Sequence, residues 1–208
     1  MGYTHYWERP EELDKAKFAA FAADVRKLYT AAAEIGVKLA SVDGTKKPVA
    51  TVARVHFNGS SSCGHTSSQS VSAQFPVYAE GNALGPALRL SGKFEHYVCQ
   101  GDCAYESVVI DRSTKQSRHA QDKPLVFEFC KTGRSHYDIA VTAVLIAFKH
   151  HFGDDVRVSS DGDDDEWHDA RLMCSMTLGY GDDFHFVTAA DGERHLRRVA
   201  AAAKEDAA

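Results

Sequence analysis

The segment Phe129-Cys130-Lys131-Thr132-Gly133-Arg134-Ser135-His136-Tyr137-Asp138 gathers a thiol, two cations, several hydroxyls, an imidazole and a carboxylate. It lies between Leu125 to Cys130, which reads as a compact strand, and Tyr137 to Phe152, which reads as a buried helix. At such a junction, free backbone N–H groups and the positive end of the helix macrodipole attract anions. Lys131 and Arg134 add full charge and a planar donor fork. The expected ligand is a phosphate or carboxylate, bound by Lys131, Thr132, Arg134 and Tyr137. Cys130 beside these cations is expected to have a lowered pKa and to act as a nucleophile, with Asp138 as an acid or base. Its Cys-x3-Arg spacing is not the Cys-x5-Arg loop of protein tyrosine phosphatases. The plainer alternative is that Asp138 caps the helix or pairs with Arg134, and Cys130 is core.

Three further groups carry chemistry. His5 stands among Tyr3, Tyr6 and Trp7, either as an acid/base at a pocket floor or as a satisfied structural histidine. Asp161-Gly162-Asp163-Asp164-Asp165-Glu166 offers oxygen ligands for a divalent cation. Gly162 is misplaced for an EF-hand, and a helix-capping acidic turn is the simpler account. Asp161 is nonetheless expected near the anion site. Cys63, His65, Cys99 and Cys103 make four zinc ligands of suitable softness, although neither Cys63-x-His65 nor Cys99-x3-Cys103 is the usual Cys-x2-Cys knuckle. Cys99 and Cys103 serve equally as thiols or a disulfide. His150 and His151 read as cations at a helix C-terminus.

These residues need elements to position them. Tyr3 to Trp7 alternates like a short strand, and Pro10-Glu11-Glu12 opens a helix whose apolar residues recur at three- and four-residue steps to Ile35, where Gly36 ends it. Val37 to Val42 and Val49 to Phe57 predict strands, and Asn58 to Ser72 a serine-rich surface loop. Phe75 to Tyr78, Leu88 to Val98 and Ala104 to Ile110 predict further strands, the last two flanking a hairpin turn at Cys99 to Cys103. Gly153 closes the buried helix. Val156 to Ser159 is a short strand, and a third helix carries Trp167, Leu172, Met173 and Met176. The predicted class is α+β, one domain over 1–188 with a mixed or mostly antiparallel sheet packed on two or three helices. Residues 189–208 are expected to form an Ala- and charge-rich surface helix or frayed tail.

Composition sets the outer bounds. The 208 residues are 44% hydrophobic and 25% charged, with 29 acidic against 24 basic side chains, a net charge of −5 and a pI near 6.1. That balance argues against coating nucleic acid or an anionic membrane. Five of the negative charges fall within Asp161 to Glu166, so the remainder is close to neutral. No apolar run is long enough to span a bilayer, and no secretory signal opens the chain. The odd cysteine count favours a reducing, cytoplasmic setting. G-x-G-x-x-G, P-loop and H-E-x-x-H patterns are all missing.

As a set, Met1-Gly2-Tyr3-Thr4-His5-Tyr6-Trp7, Phe57-Asn58-Gly59, the block from Phe129-Cys130-Lys131-Thr132 to Tyr137-Asp138, and Ser159-Ser160-Asp161-Gly162 resemble a family of small proteins found in bacteriophage, other viral and bacterial genomes, for which no activity is established. The resemblance spans residue 1 to about residue 170. It implies a shared pocket and a viral association. Ser135-His136 here precedes Tyr137-Asp138, where the family has Pro-Tyr-Asp. His65-Thr66 and a serine insertion stand where a His-Glu pair is expected.

The expected function is recognition of an anionic, nucleotide-like small molecule at the strand-to-helix junction, with hydrolase or transferase chemistry at His5, Asp138 or Cys130. The alternative is a virion component or protein-interaction module. In either version His5, Cys130, Lys131, Arg134, Asp138 and Asp161 are expected to converge on one concave site.

Overall fold

A computed structural model describes residues 2–63, 101–115, 125–190 and 192–199. The chain begins with strand β1 (Thr4–Arg9), followed by helix α1 (Lys15–Glu34). The helix starts after Glu11 and Glu12 because the Asp14 side chain caps it, accepting from Lys17 N at 2.8 Å. Before that cap, Glu12 makes a β-bridge with Ser113, and Leu13 N donates to Arg112 O. Phe18, Phe21, Val25 and Leu28 then bury one face of α1.

Short strands β2 (Leu39–Ala40) and β3 (Val49–Ala50) pair with β4 (Arg54–Gly59), which also pairs with β5 (Val108–Asp111). Asn58 and Gly59, expected in the serine loop, finish β4 instead. Asn58 Nδ2 reaches Tyr105 O at 2.9 Å and Ser107 Oγ at 3.1 Å. Strand β6 (Val126–Lys131) leads to helix α2 (Asp138–Phe152), strand β7 (Arg157–Ser160) and helix α3 (His168–Leu178). The second sheet has the order β6-β1-β7, and every strand pair among the described residues is antiparallel. This is a single-domain α+β fold.

Helix α2 is buried on nearly all sides because α1 and α3 pack against it and β7 and the strand Arg194–Arg198 also lie on it. At its C-terminus the buried Lys149 ammonium donates to Gly153 O at 2.7 Å and Val156 O at 2.9 Å. Of the two histidines there, His151 pairs with Asp24 at 2.9 Å. His150 instead stacks on Tyr180 at 3.6 Å, and burial lowers its pKa, so it is not the cation expected.

The domain does not stop at residue 188. Strand β8 (Phe184–Thr188) forms a hairpin with β9 (Arg194–Arg198), and Leu196 is fully buried in the core. The expected terminal helix is therefore a strand over these residues, because Leu196 faces the core opposite Phe186. The strands expected at Phe75 to Tyr78 and Leu88 to Val98 lie outside the described residues. No helix among the described residues is long and apolar enough to cross a membrane.

Candidate functional site

At one end of the β6-β1-β7 sheet, the start of β1, the ends of β6 and β7 and the start of α2 meet. His5 is fully buried there. Its Nε2 lies 2.8 Å from Asp138 Oδ1 and its Nδ1 2.9 Å from Ser160 Oγ. Ser160 Oγ also accepts from Gly162 N at 2.9 Å and Trp167 Nε1 at 3.3 Å. Tyr3 also hydrogen-bonds the Ser160 side chain, so the imidazole and the serine hydroxyl belong to one closed network. Thr132 Oγ1 donates to the same Asp138 oxygen. Tyr3 and Trp167 contact the imidazole edge-on, with centroids 5.0 and 5.4 Å away.

This constellation resembles a Ser-His-Asp relay, but it works as a staple. Gly162 N and Trp167 Nε1 both donate to Ser160 Oγ and hold it in place, and Asp138 puts its own carboxylate on the positive end of α2. A second anion would meet that charge. Arg134 is also committed, with Nε and Nη2 donating to Glu166 Oε1 at 3.0 and 2.7 Å. Its guanidinium lies 4.0 Å from the centroid of the Tyr3 ring. Its φ of 61° is left-handed, a conformation held by these contacts. Burial, then the Asp138 and Glu166 carboxylates, raises the Tyr3 pKa.

The expected set does not converge on one concavity. Cys130 pairs in register with His5 but is fully buried, its Sγ 3.3 Å from Glu106 O. Burial pushes its pKa up, the reverse of the expectation, because Cys130 lies inside a strand and not at the helix N-terminus. Tyr137 is core, its hydroxyl donating to Glu106 O at 2.7 Å. Lys131 pairs with Thr4 on the opposite face of the sheet from His5. Asp161 accepts from Thr4 N at 3.0 Å and Tyr6 Oη at 3.2 Å.

The acidic run caps and braces. Asp163 Oδ1 accepts from Glu166 N while Glu166 Oε2 accepts from Asp163 N, a reciprocal capping box. Asp164 Oδ1 accepts from Phe186 N and Arg171 Nη1. Of the expected zinc set, Cys63 and Cys103 pack together in a small buried cluster, and His65 and Cys99 lie outside the described residues. Cys103 Sγ lies 3.3 Å from His136 Nδ1. Among the described residues, no group of three His, Cys, Asp or Glu side chains could hold a metal ion.

A cavity lies across the outer face of the same sheet. It has a volume of about 510 Å³ and is lined by Tyr6, Glu8, Phe127, Arg157 and Ser159 from the sheet and by Glu193, Arg194 and His195 from the β8–β9 hairpin. Trp7 and Ser160 complete its lining. Tyr6 and Phe127 stack with centroids 5.9 Å apart at 24°. Phe127 and Phe129 are 50% and 53% exposed, whereas Glu128 between them points inward. Glu128 is held there by Trp7 Nε1 at 2.6 Å and Arg9 Nε at 2.9 Å, and Arg9 is fully buried. His195 Nδ1 is buried without a hydrogen-bond partner. None of Phe127, Arg157, Arg194 and His195 stands out in the sequence. The available signal was Glu128 at the centre of an apolar run, with Arg9 and Trp7 nearby in β1 to receive it.

Comparison of the chain with protein-family models, curated proteins and solved structures gives no match. Function therefore rests on the geometry of this site.

Proposed function

We propose that the protein binds a nucleotide-like anion in the groove on the outer face of the β6-β1-β7 sheet. The observation that carries this is the inverted pattern of β6, with its glutamate inside and both phenylalanines in solvent. Leaving two rings half exposed forgoes on the order of 1 kcal/mol each. A rule broken at this cost, beside a cavity, marks a binding surface. The groove volume of about 510 Å³ lies within the range of small-molecule sites.

A base stacks on Phe127 and Tyr6, and the phosphate meets the guanidinium group of Arg157, with Arg194 on the groove wall. Glu8, 3.6 Å from Arg157, orients that guanidinium. Glu193 and Ser159 supply acceptors for sugar hydroxyls. The ligand class is the one expected from the sequence, moved from the strand-to-helix junction to the opposite face.

Calorimetric titration with adenosine 5′-monophosphate and with adenosine tests this. The monophosphate should bind saturably, with Phe127→Ala weakening it roughly tenfold or more, as loss of one stacking ring does. Arg157→Ala should weaken the monophosphate but not adenosine. A monophosphate affinity unchanged in Phe127→Ala would remove the groove as its site.

A further inference from the structure

The aromatic surface continues past the groove. Phe129 sits directly opposite Tyr6 in the β1–β6 register, and its ring centroid lies 6.2 Å from that of Phe127. Phe129 does not line the cavity, yet it is the most exposed of the three rings. The outer face is thus a two-strand platform: Phe127, Phe129 and Lys131 on β6 beside Tyr6 and Thr4 on β1. Cations stand at both ends, Lys131 at one and Arg157 at the other, while Arg194 Nη2 donates to Gly162 O at 3.4 Å past the Ser160 end of β7. From Phe127 to Lys131 the strand rises about 13 Å, farther than the groove's own ligand needs to reach.

Resting on the groove reading above, we infer that the natural ligand is a single-stranded nucleic acid of two or more nucleotides laid along β6. One base stacks on Tyr6 and Phe127, the next on Phe129, and backbone phosphates meet Arg157 at one end and Lys131 at the other, with Arg194 on the groove wall. Adjacent strands carrying exposed aromatics at i and i+2, with a third ring beside them, are the arrangement by which open sheets stack successive unpaired bases. The overall charge of −5 does not oppose this, because stacking rather than a basic coat supplies the affinity. Glu8, Glu193 and Asp161 border the same face and keep the electrostatic contribution small. With three cations along this path, the slope of log affinity against log salt is about −2.

The test is fluorescence anisotropy with labelled ten-residue oligothymidylate and oligouridylate, competed with adenosine 5′-monophosphate, with a DNA duplex as control. At least one single strand should bind ten or more times tighter than the monophosphate, with a salt slope near −2, and the duplex should not. Comparing the two oligomers distinguishes DNA from RNA. Phe129→Ala should weaken the oligomer about tenfold while Phe129→Tyr retains binding. Lys131→Ala should reduce the salt slope by about 0.7. Oligomers binding no tighter than a monophosphate that still depends on Phe127 would overturn this inference and leave the mononucleotide groove standing. If neither ligand binds, both readings fall. A concentration-dependent dimer that Phe129→Ala dissociates would show a second copy of the chain covering this face, and would also overturn it.

Discussion

Truncating Asp138 to alanine should be among the most damaging single changes at the strand-to-helix junction. Its Oδ1 accepts from His5 Nε2 and from Thr132 Oγ1, and both donor residues are fully buried. Each buried donor left without an acceptor costs about 1–3 kcal/mol, and removing a first-turn carboxylate from α2 adds about 0.3–1 kcal/mol. Allowing for partial relaxation, the loss is about 3–5 kcal/mol, a large fraction of the 5–15 kcal/mol typical of a domain. Asparagine returns a carbonyl oxygen to the same place without the charge, so Asp138→Asn should lose only about 1–2 kcal/mol. Urea denaturation followed by circular dichroism measures both. The midpoints should fall in the order wild type, Asn, Ala, with the slope m unchanged. A His5→Phe/Asp138→Ala double variant should recover part of the alanine loss, because the buried donor has gone. If Asp138→Ala stayed within about 0.5 kcal/mol of wild type, or if Asn were as costly as Ala, the staple account would be refuted.

Three other outcomes follow from local geometry. Burial opposes ionisation of Asp24, but hydrogen bonds from Lys27, His151 and Tyr180 outweigh it and lower the pKa below its ordinary 3.8. The stability this contributes is therefore complete above the ordinary value and lost as pH falls through the lowered one; melting temperatures of wild type and Asp24→Asn should differ at neutral pH and converge in acid. A Cβ at Gly162 would lie 2.2 Å from the hydroxyl of buried Tyr3, so Gly162→Ala should cost about 1–3 kcal/mol, and less in a Tyr3→Phe background. Leu196→Ala should cost about 2–5 kcal/mol by chemical denaturation; a change within error would mean that the β8–β9 hairpin is not part of the cooperative core.

Much of the fold can be read from the sequence because its strongest patterns are local. The run from Ile139 to Phe148 announces a helix buried on every side, and Gly153 with φ 56° ends it where the punctuation says. Asp14 outcompetes Glu11 as a helix start because its side chain reaches Lys17 N, a three-residue relation that composition alone does not reveal. Strand β9 escapes because Arg194-His195-Leu196-Arg197-Arg198 carries one aliphatic residue, and pairing with β8 rather than periodicity makes it a strand. His5, Thr132 and Asp138 do meet, but in a network whose lone pairs and protons satisfy one another.

Strand β6 shows why the binding face was the hardest part to find. Val126-Phe127-Glu128-Phe129-Cys130-Lys131 fits a sheet in either of two phases, and period-two alternation makes them equal in pattern though opposite in consequence. Hydrophobicity alone favours the phase with Phe127 and Phe129 inside, which would leave Val126 and Cys130 in solvent beside Glu128. The observed phase prevails because Arg9, on β1, is fully buried and requires a carboxylate, and Trp7 Nε1 requires an acceptor. Glu128 serves both groups from the neighbouring strand. An unpaired buried guanidinium would cost more than two half-exposed rings forgo. The inward ion pair thus fixes the phase, and the phase puts the aromatics on the outer face. Replacing Arg9 and Glu128 together by apolar residues would therefore test more than stability. With the polar constraint gone, β6 is free to shift by one residue, and ligand binding on the outer face should be lost even where the variant still folds.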